Sequence, residues 1–193
     1  MISDDRPEGL PPAVLRTAAA LRFWGWVGFW CQVILAVVSG IVLLFAGFRD
    51  PVQAGAAAAS GSANIPGVTM AWLSLACAGG NIGWHFRYTV LAKQLRSPTR
   101  PSKNQTALQL KIGTAVSLVG MILALVGGQA IVGTLTFKAL QPPPQGVAST
   151  NPAQFVQPID FFVLQANTNI LLSHFVGLLT SLWLLDRLSQ PEK

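Results

Sequence analysis

Three stretches of this chain, Trp24 to Phe48, Ile112 to Phe137 and Phe161 to Leu185, run from end to end without a Lys, Arg, Asp or Glu. A hydrocarbon core about 30 Å thick needs roughly 20 helical residues to cross, so each stretch is long enough to span a bilayer with some tilt. A buried helix of a soluble domain is the competing reading of any one of them, but such helices are rarely charge-free at this length. Only 10% of the residues are charged, against about 25% in ordinary soluble domains. A fourth window, Gly67 to Trp84, is shorter, richer in Gly and Ala, and ends at His85 and Arg87. These windows predict an all-α integral membrane protein, a single membrane domain built as a four-transmembrane-helix bundle over 24–48, 67–84, 112–137 and 161–185. Pro11 and Pro12 precede AVLRTAAALRF, and prolines suit a helix start. The tail, 1–23, is therefore read as holding a short N-terminal interfacial helix, the alternative being that the first span simply begins early.

Cutting the chain at the four spans divides its 13 basic residues unevenly. Arg6, Arg16 and Arg22 precede the first span; Arg87, Lys93, Arg96, Arg100, Lys103 and Lys111 lie between the second and third; Arg187 and Lys193 follow the fourth. Only Arg49 and Lys138 fall on the other side. The cytoplasmic side collects Lys and Arg, which places both termini and the 85–111 connection there. Trp24, Trp26, Trp30, Trp84, Tyr88 and Trp183 lie at the same ends of their spans, as aromatic residues at an interface do. The basic connection contains no acid. Membrane orientation explains it without nucleic acid, and anionic lipid would meet it with about 1 kcal/mol per basic residue. The start, MISDDRPEGLPP, is acidic, unlike a secretory signal or a transit peptide, so the first span is expected to be retained. The first connection, with GAAAASGSAN, is small and flexible in composition, and the outer connection, 138–160, carries QPPPQ, which favours stiff polyproline backbone.

Each span carries small or polar residues at intervals of three or four: Gly25, Gly28, Gln32, Ala36 and Gly40 on the first; Ala76, Gly80 and Gly83 on the second; Gly113, Ser117, Gly120, Ala124 and Gly128 on the third; and, at intervals of four throughout, Gln165, Asn169, Ser173, Gly177 and Ser181 on the fourth. Such rows let backbones approach where lipid supplies no hydrophobic drive between helices. Gln129 and Asn169 share a depth, which predicts an amide pair there. His174 sits near the midplane, where ionisable groups are costly and default to functional roles. Three readings stay open for it: a neutral histidine hydrogen-bonded within the bundle, part of a metal or proton pathway, or an axial ligand of a tetrapyrrole. No Asp or Glu lies in any span, so a divalent ion would rely on one imidazole, amides and carbonyls. Cys31 and Cys77 lie apart in the first two spans and make no zinc or disulfide framework. No nucleophile–histidine–carboxylate set, phosphate loop or HEXXH occurs, and no enzyme is expected.

The stretches GWVGFWCQVILAVVSG (25–40), FRYTVLAKQL (86–95), KIGTAVSLVGMILALVGGQAIVGTLTFKAL (111–140) and QANTNILLSHFVGLLTSLWLL (165–185) carry a resemblance. They are similar to the small Tic-complex inner-envelope family also called permease in chloroplasts, with its cyanobacterial relatives. The resemblance implies a protein of the transport class, either an iron permease or a protein-translocon subunit, in a cyanobacterial plasma or thylakoid membrane or, in plants, the chloroplast inner envelope. Iron would then be cargo, and Gln165, Asn169 and His174 would line the path with Gln32 and Gln129 facing them. The alternative is a non-transporting assembly or scaffold partner of photosynthetic membrane complexes. Four spans can barely enclose a pore, so transport would require a homo-oligomer or a larger membrane complex.

Overall fold

A computed structural model describes residues 11–49, 64–97, 100–140 and 156–189. Four helices make up almost all of it: α1 Pro12–Arg49, α2 Asn64–Gln94, α3 Lys103–Leu140 and α4 Pro158–Ser189. Proline opens α1 and α4, where the missing N–H is no loss. Asp160, in the first turn of α4, accepts a hydrogen bond from the Gln157 N–H at 3.0 Å and faces the Lys138 ammonium at 3.2 Å. The α3 start is a reciprocal cap: the Gln105 N–H donates to Ser102 Oγ at 3.2 Å, and the Ser102 N–H to Gln105 Oε1 at 3.1 Å. Ser-x-x-Gln is a legible helix-start signal, and it moves that start well ahead of the expected span. Ser102→Ala is expected to cost about 1 kcal/mol, read as an earlier midpoint in detergent unfolding.

Two expectations change here. No break separates an interfacial helix from the first span: AVLRTAAALRF continues into α1 because nothing after Pro12 interrupts helical backbone until the apolar run has begun. For the same reason the basic connection is mostly helical. Arg87 and Lys93 ride on α2 and Lys103 and Lys111 on α3, leaving Arg96 and Arg100 in the turn. Hydropathy marks where lipid would end; it does not mark where backbone hydrogen bonds stop. The GAAAASGSAN connection (apart from Asn64), Asp50, QPPPQ and the first ten residues lie outside the described residues.

α1, α2, α3 and α4 form a closed ring in which each packs on the next and α4 returns to α1, while α2 and α4 also touch across the diagonal. Neighbours run antiparallel: Trp84 Nε1 donates to the Gln109 carbonyl at one end of the α2–α3 pair, and Gly67 meets Gly127 and Ile131 at the other. Trp24 and Trp183, with centroids 5.1 Å apart, close the α1–α4 pair. Side-chain polarity is inverted relative to a soluble bundle. Ile34, Val37, Phe45, Val119, Ile122 and Phe161 face outward, while Gln32, Asn81, His85, Ser117 and His174 have no exposure at all. By length and composition, α1, α3 and α4 are able to cross a membrane. α2 does not reach that threshold; its inward face carries Ser74, Asn81, His85, Tyr88 and Thr89, which lower its apolarity.

Candidate functional site: a polar axis sealed at both ends

The inverted interior is organised in layers. At the end of the bundle away from the two termini, Leu43, Ala71, Ala124, Ile131, Val163, Ala166 and Ile170 form an apolar plug. At the other end Ala18, Leu21, Tyr88, Leu91, Ala92, Leu95, Leu110 and Leu184 form a second. Between them runs a file of polar groups. It spans Ser74 to Tyr88 on α2, about 21 Å at roughly 1.5 Å per residue.

The outermost polar layer is a three-helix node. Ser74 Oγ on α2 donates to the Gly120 carbonyl of α3 at 2.8 Å, and His174 Nε2 on α4 lies 3.1 Å from the Ser74 carbonyl. A carbonyl only accepts, so Nε2 carries the proton and Nδ1 keeps its lone pair. Gly120 makes this possible, because any Cβ there would collide with the His174 ring. The next layer joins all four helices. Asn81 Nδ2 donates to Ser117 Oγ at 2.9 Å, whose hydroxyl donates to the Gly113 carbonyl at 2.9 Å. Gln32 from α1 reaches the same point beside Gly177 of α4, 3.3 Å from where a Cβ would stand. Below it His85 donates through Nδ1 to the Asn81 carbonyl at 3.0 Å, with Gly28 and Thr180 against its Nε2 edge. Tyr88 and Ser181 close the file with a 3.0 Å hydroxyl pair.

His85 and His174 thus present opposite tautomers, each with one bare ring nitrogen. His85 Nε2, His174 Nδ1, both polar atoms of Gln32, Asn81 Oδ1 and Ser173 Oγ are buried and have no hydrogen-bond partner among the described residues. Unsatisfied groups at this density are costly in a low-dielectric interior, and each calls for a partner that the four helices do not supply. The two rings sit on different levels. His85 lies level with Thr180, six residues along α4 from His174, roughly 9 Å, so they cannot grip one small ion together. No group of three or more His, Cys, Asp or Glu that could hold a metal occurs among the described residues.

Of the expected path residues, the fold brings Gln32, Ser173 and His174 into the axis. It leaves the others outside. Gln129 and Gln165 are exposed and Asn169 is half-buried. The amide pair of Gln129 with Asn169 does not form; Asn169 Oδ1 accepts from Gln165 Nε2 on its own helix at 3.1 Å. The reason is angular. Four residues take slightly more than one full turn, so a row at that spacing drifts around the helix by about 40° each time. With Ser173, Gly177 and Ser181 facing inward, Asn169 and Gln165 have rotated away. Asn167, about 200° from Asn169, is the inward amide, and its Nδ2 donates to the Ala124 carbonyl at 2.9 Å beside Gly128. The row chosen on α2 is likewise on the wrong face: a Cβ on Gly80 or Gly83 would meet nothing within 4 Å. The true inward row, Ser74, Ala78, Asn81, His85, Tyr88 and Ala92, alternates steps of three and four, a signal present in the sequence. The basic residues Arg87, Lys93, Arg96, Arg100, Lys103 and Lys111 are exposed, with Arg87 stacked 4.8 Å over Trp84.

The chain is 33% identical over 190 residues to "Protein TIC 21, chloroplastic" of Arabidopsis thaliana, an alignment covering 91% of this chain and 59% of that protein. The chain therefore spans somewhat over half the length of the curated relative it matches. No solved structure matches it. A family model described as "Protein of unknown function (DUF3611)" matches residues 11–189. With the match running over all four helices and the polar axis between them, the chain belongs to the DUF3611 family.

Proposed function

We propose that this chain is an integral membrane protein of the transport class, with all four helices crossing the bilayer, both termini on the cytoplasmic side, and the polar axis serving as a cargo path held closed. The observation that carries the reading is the file of buried, unpaired polar groups between two apolar plugs. α2 crosses in this reading because it lies antiparallel between α1 and α3 along their length, with its polar face turned to their interior. Orientation follows from Arg22, Arg87, Arg96 and Arg187 with five of the six tryptophans at one end. Iron is the proposed cargo, following the family resemblance, with the bare nitrogens of His174 and then His85 as successive stations; a protein-translocon subunit is the other form the resemblance allows. No resident cofactor and no catalytic step belong to this reading. Gly120 packed against the His174 ring argues against a tetrapyrrole on that side of it.

The test is ferrous-ion entry into proteoliposomes holding a trapped fluorescent chelator. Wild type is expected to exceed empty vesicles, and His174→Gln, which keeps a donor for the Ser74 carbonyl but removes the imidazole, is expected to lower entry at least about tenfold, the lower end of what losing even an outer-shell partner of a metal ligand costs. Entry no faster than in empty vesicles would remove the permease reading. Orientation is checked separately with R96C on a C31S/C77S background, expected to react with a membrane-impermeant maleimide only from the cytoplasmic side.

One observation favours a second reading, a non-transporting assembly partner: Gly120 and Gly177 are packed so closely against His174, Asn81 and Ser117 that direct helix contact fills the axis at these two levels. That reading expects no ion entry and stable co-purification with a larger membrane complex.

A further inference from the structure

We infer that α1 and the turn after α2 form a binding site for one anionic phospholipid of the cytoplasmic leaflet. A groove of about 600 Å³ runs along the outside of α1, lined by Arg22, Phe23, Trp26, Val27 and Trp30, with Arg96 reaching over it from the end of α2. It extends to Cys31, and from Arg22 that is about 14 Å along the helix, close to the depth of one leaflet of a hydrocarbon core about 30 Å thick. Its chemistry is graded along that length. Two guanidinium groups stand at one end, where the helix leaves the apolar region, and the wall beyond them is aromatic and aliphatic. Neither guanidinium has an ion-pair partner among the described residues.

A phosphodiester suits two planar, permanently charged donors that line one groove, and an acyl chain suits the wall that leads inward from them. The wall is preformed: Trp26 and Trp30 lie stacked at 6.1 Å with a 17° interplanar angle, and Phe29 packs edge-on to both. Rigid aromatic walls lose little entropy when a chain settles on them. Charge complementarity, together with the direction in which the groove runs, selects a lipid over a second copy of this chain. The acids on the described helices are already engaged: Asp160 pairs with Lys138 at the other end of the bundle, and Asp186, at the cytoplasmic end of α4, has a partner of its own. Specificity over the general attraction of the basic face comes from geometry: Lys103 and Lys111 carry the same charge but do not line the groove.

The inference rests on α1 crossing the membrane as proposed above. Purified, delipidated protein in a neutral detergent is offered equal phosphatidylglycerol and phosphatidylcholine, and bound lipid is counted by native mass spectrometry. One phosphatidylglycerol per chain is expected, held about tenfold more tightly than phosphatidylcholine. R22Q/R96Q should lower phosphatidylglycerol binding roughly thirtyfold, the scale of two basic contacts at a lipid surface, while K103Q/K111Q, an equal loss of charge, should leave it within about twofold. No preference between the two lipids in the wild type, equal losses in both double variants, replacement of the lipid by inorganic phosphate, or a lipid-free dimer would each overturn the site. A thermal melt of each variant separates lost binding from lost folding, and the wild-type preference needs no variant. Release of the protein from native membranes by alkaline carbonate would instead sink the membrane reading beneath it.

Discussion

Gly120→Ala is expected to cost about 3 kcal/mol or more of stability, measured by denaturant titration of the detergent-purified protein. In an exposed helix this change is mildly favourable, because glycine is a poor helix former by roughly 1 kcal/mol. Here a Cβ would land on the His174 ring, which is not a flexible tail that can step aside. It is held at 3.1 Å from the Ser74 carbonyl, and Ser74 in turn holds the Gly120 carbonyl at 2.8 Å. Moving the ring therefore breaks a bond between α2 and α4 and strains one between α2 and α3. Gly133→Ala is the internal control. It lies on the same helix with nothing within 4 Å of a Cβ, and it should be neutral or slightly stabilising. Equal effects at the two positions would mean that the packing of α3 on α4 is not as described.

The second large effect is expected at Gly177, where side chains of three other helices meet one backbone. Its Cβ would collide with Asn81 Nδ2 and stand 2.9 Å from Ser117 Oγ and 3.3 Å from Gln32 Nε2. Gly177→Ala should cost about 2–4 kcal/mol, combining overpacking with the loss of the buried Asn81–Ser117 hydrogen bond. Because the clash is with one named side chain, shortening that side chain should relieve it. Asn81→Ala alone removes the bond and leaves Ser117 able to donate to Gly113. Combined with Gly177→Ala, it should recover a coupling energy of about 1–3 kcal/mol relative to the sum of the single changes. Strict additivity would show that Asn81 and Gly177 do not touch.

Both predictions concern positions that small-residue spacing singles out, and they show where spacing stops being informative. The rows on α1 and α3 are legible because both are dominated by small residues, and in each a single step of three corrects the drift of a four-residue period. On α4 the same period runs off the inward face before it reaches Asn169 and Gln165, so the amide that turns inward is Asn167. On α2 the eye is drawn to Gly80 and Gly83, which face outward, while the inward row is made of larger polar side chains, including His85. A histidine at the end of a hydrophobic window reads as a boundary marker. Its place in the three-and-four row from Ser74 to Ala92 is the sequence signal that it faces inward, and the packing of Gly28 against its ring shows it there.

The chemical class of the surroundings is written in the chain: helix-length stretches without a fixed charge require an apolar solvent, and the one-sided distribution of arginine, lysine and tryptophan is what the proposed direction rests on. So is the place where backbones come closest, since only small residues permit that approach on α1 and α3. Which polar groups share a space is not. Helical facing is cumulative, so a drift of about 40° per four-residue step compounds over a few turns, and the meeting of Gln32, Asn81, Ser117 and Gly177 depends on four rotations being fixed at once. Those rotations are set by close packing of one helix on the next, a property of pairs of helices that no single helix's pattern contains.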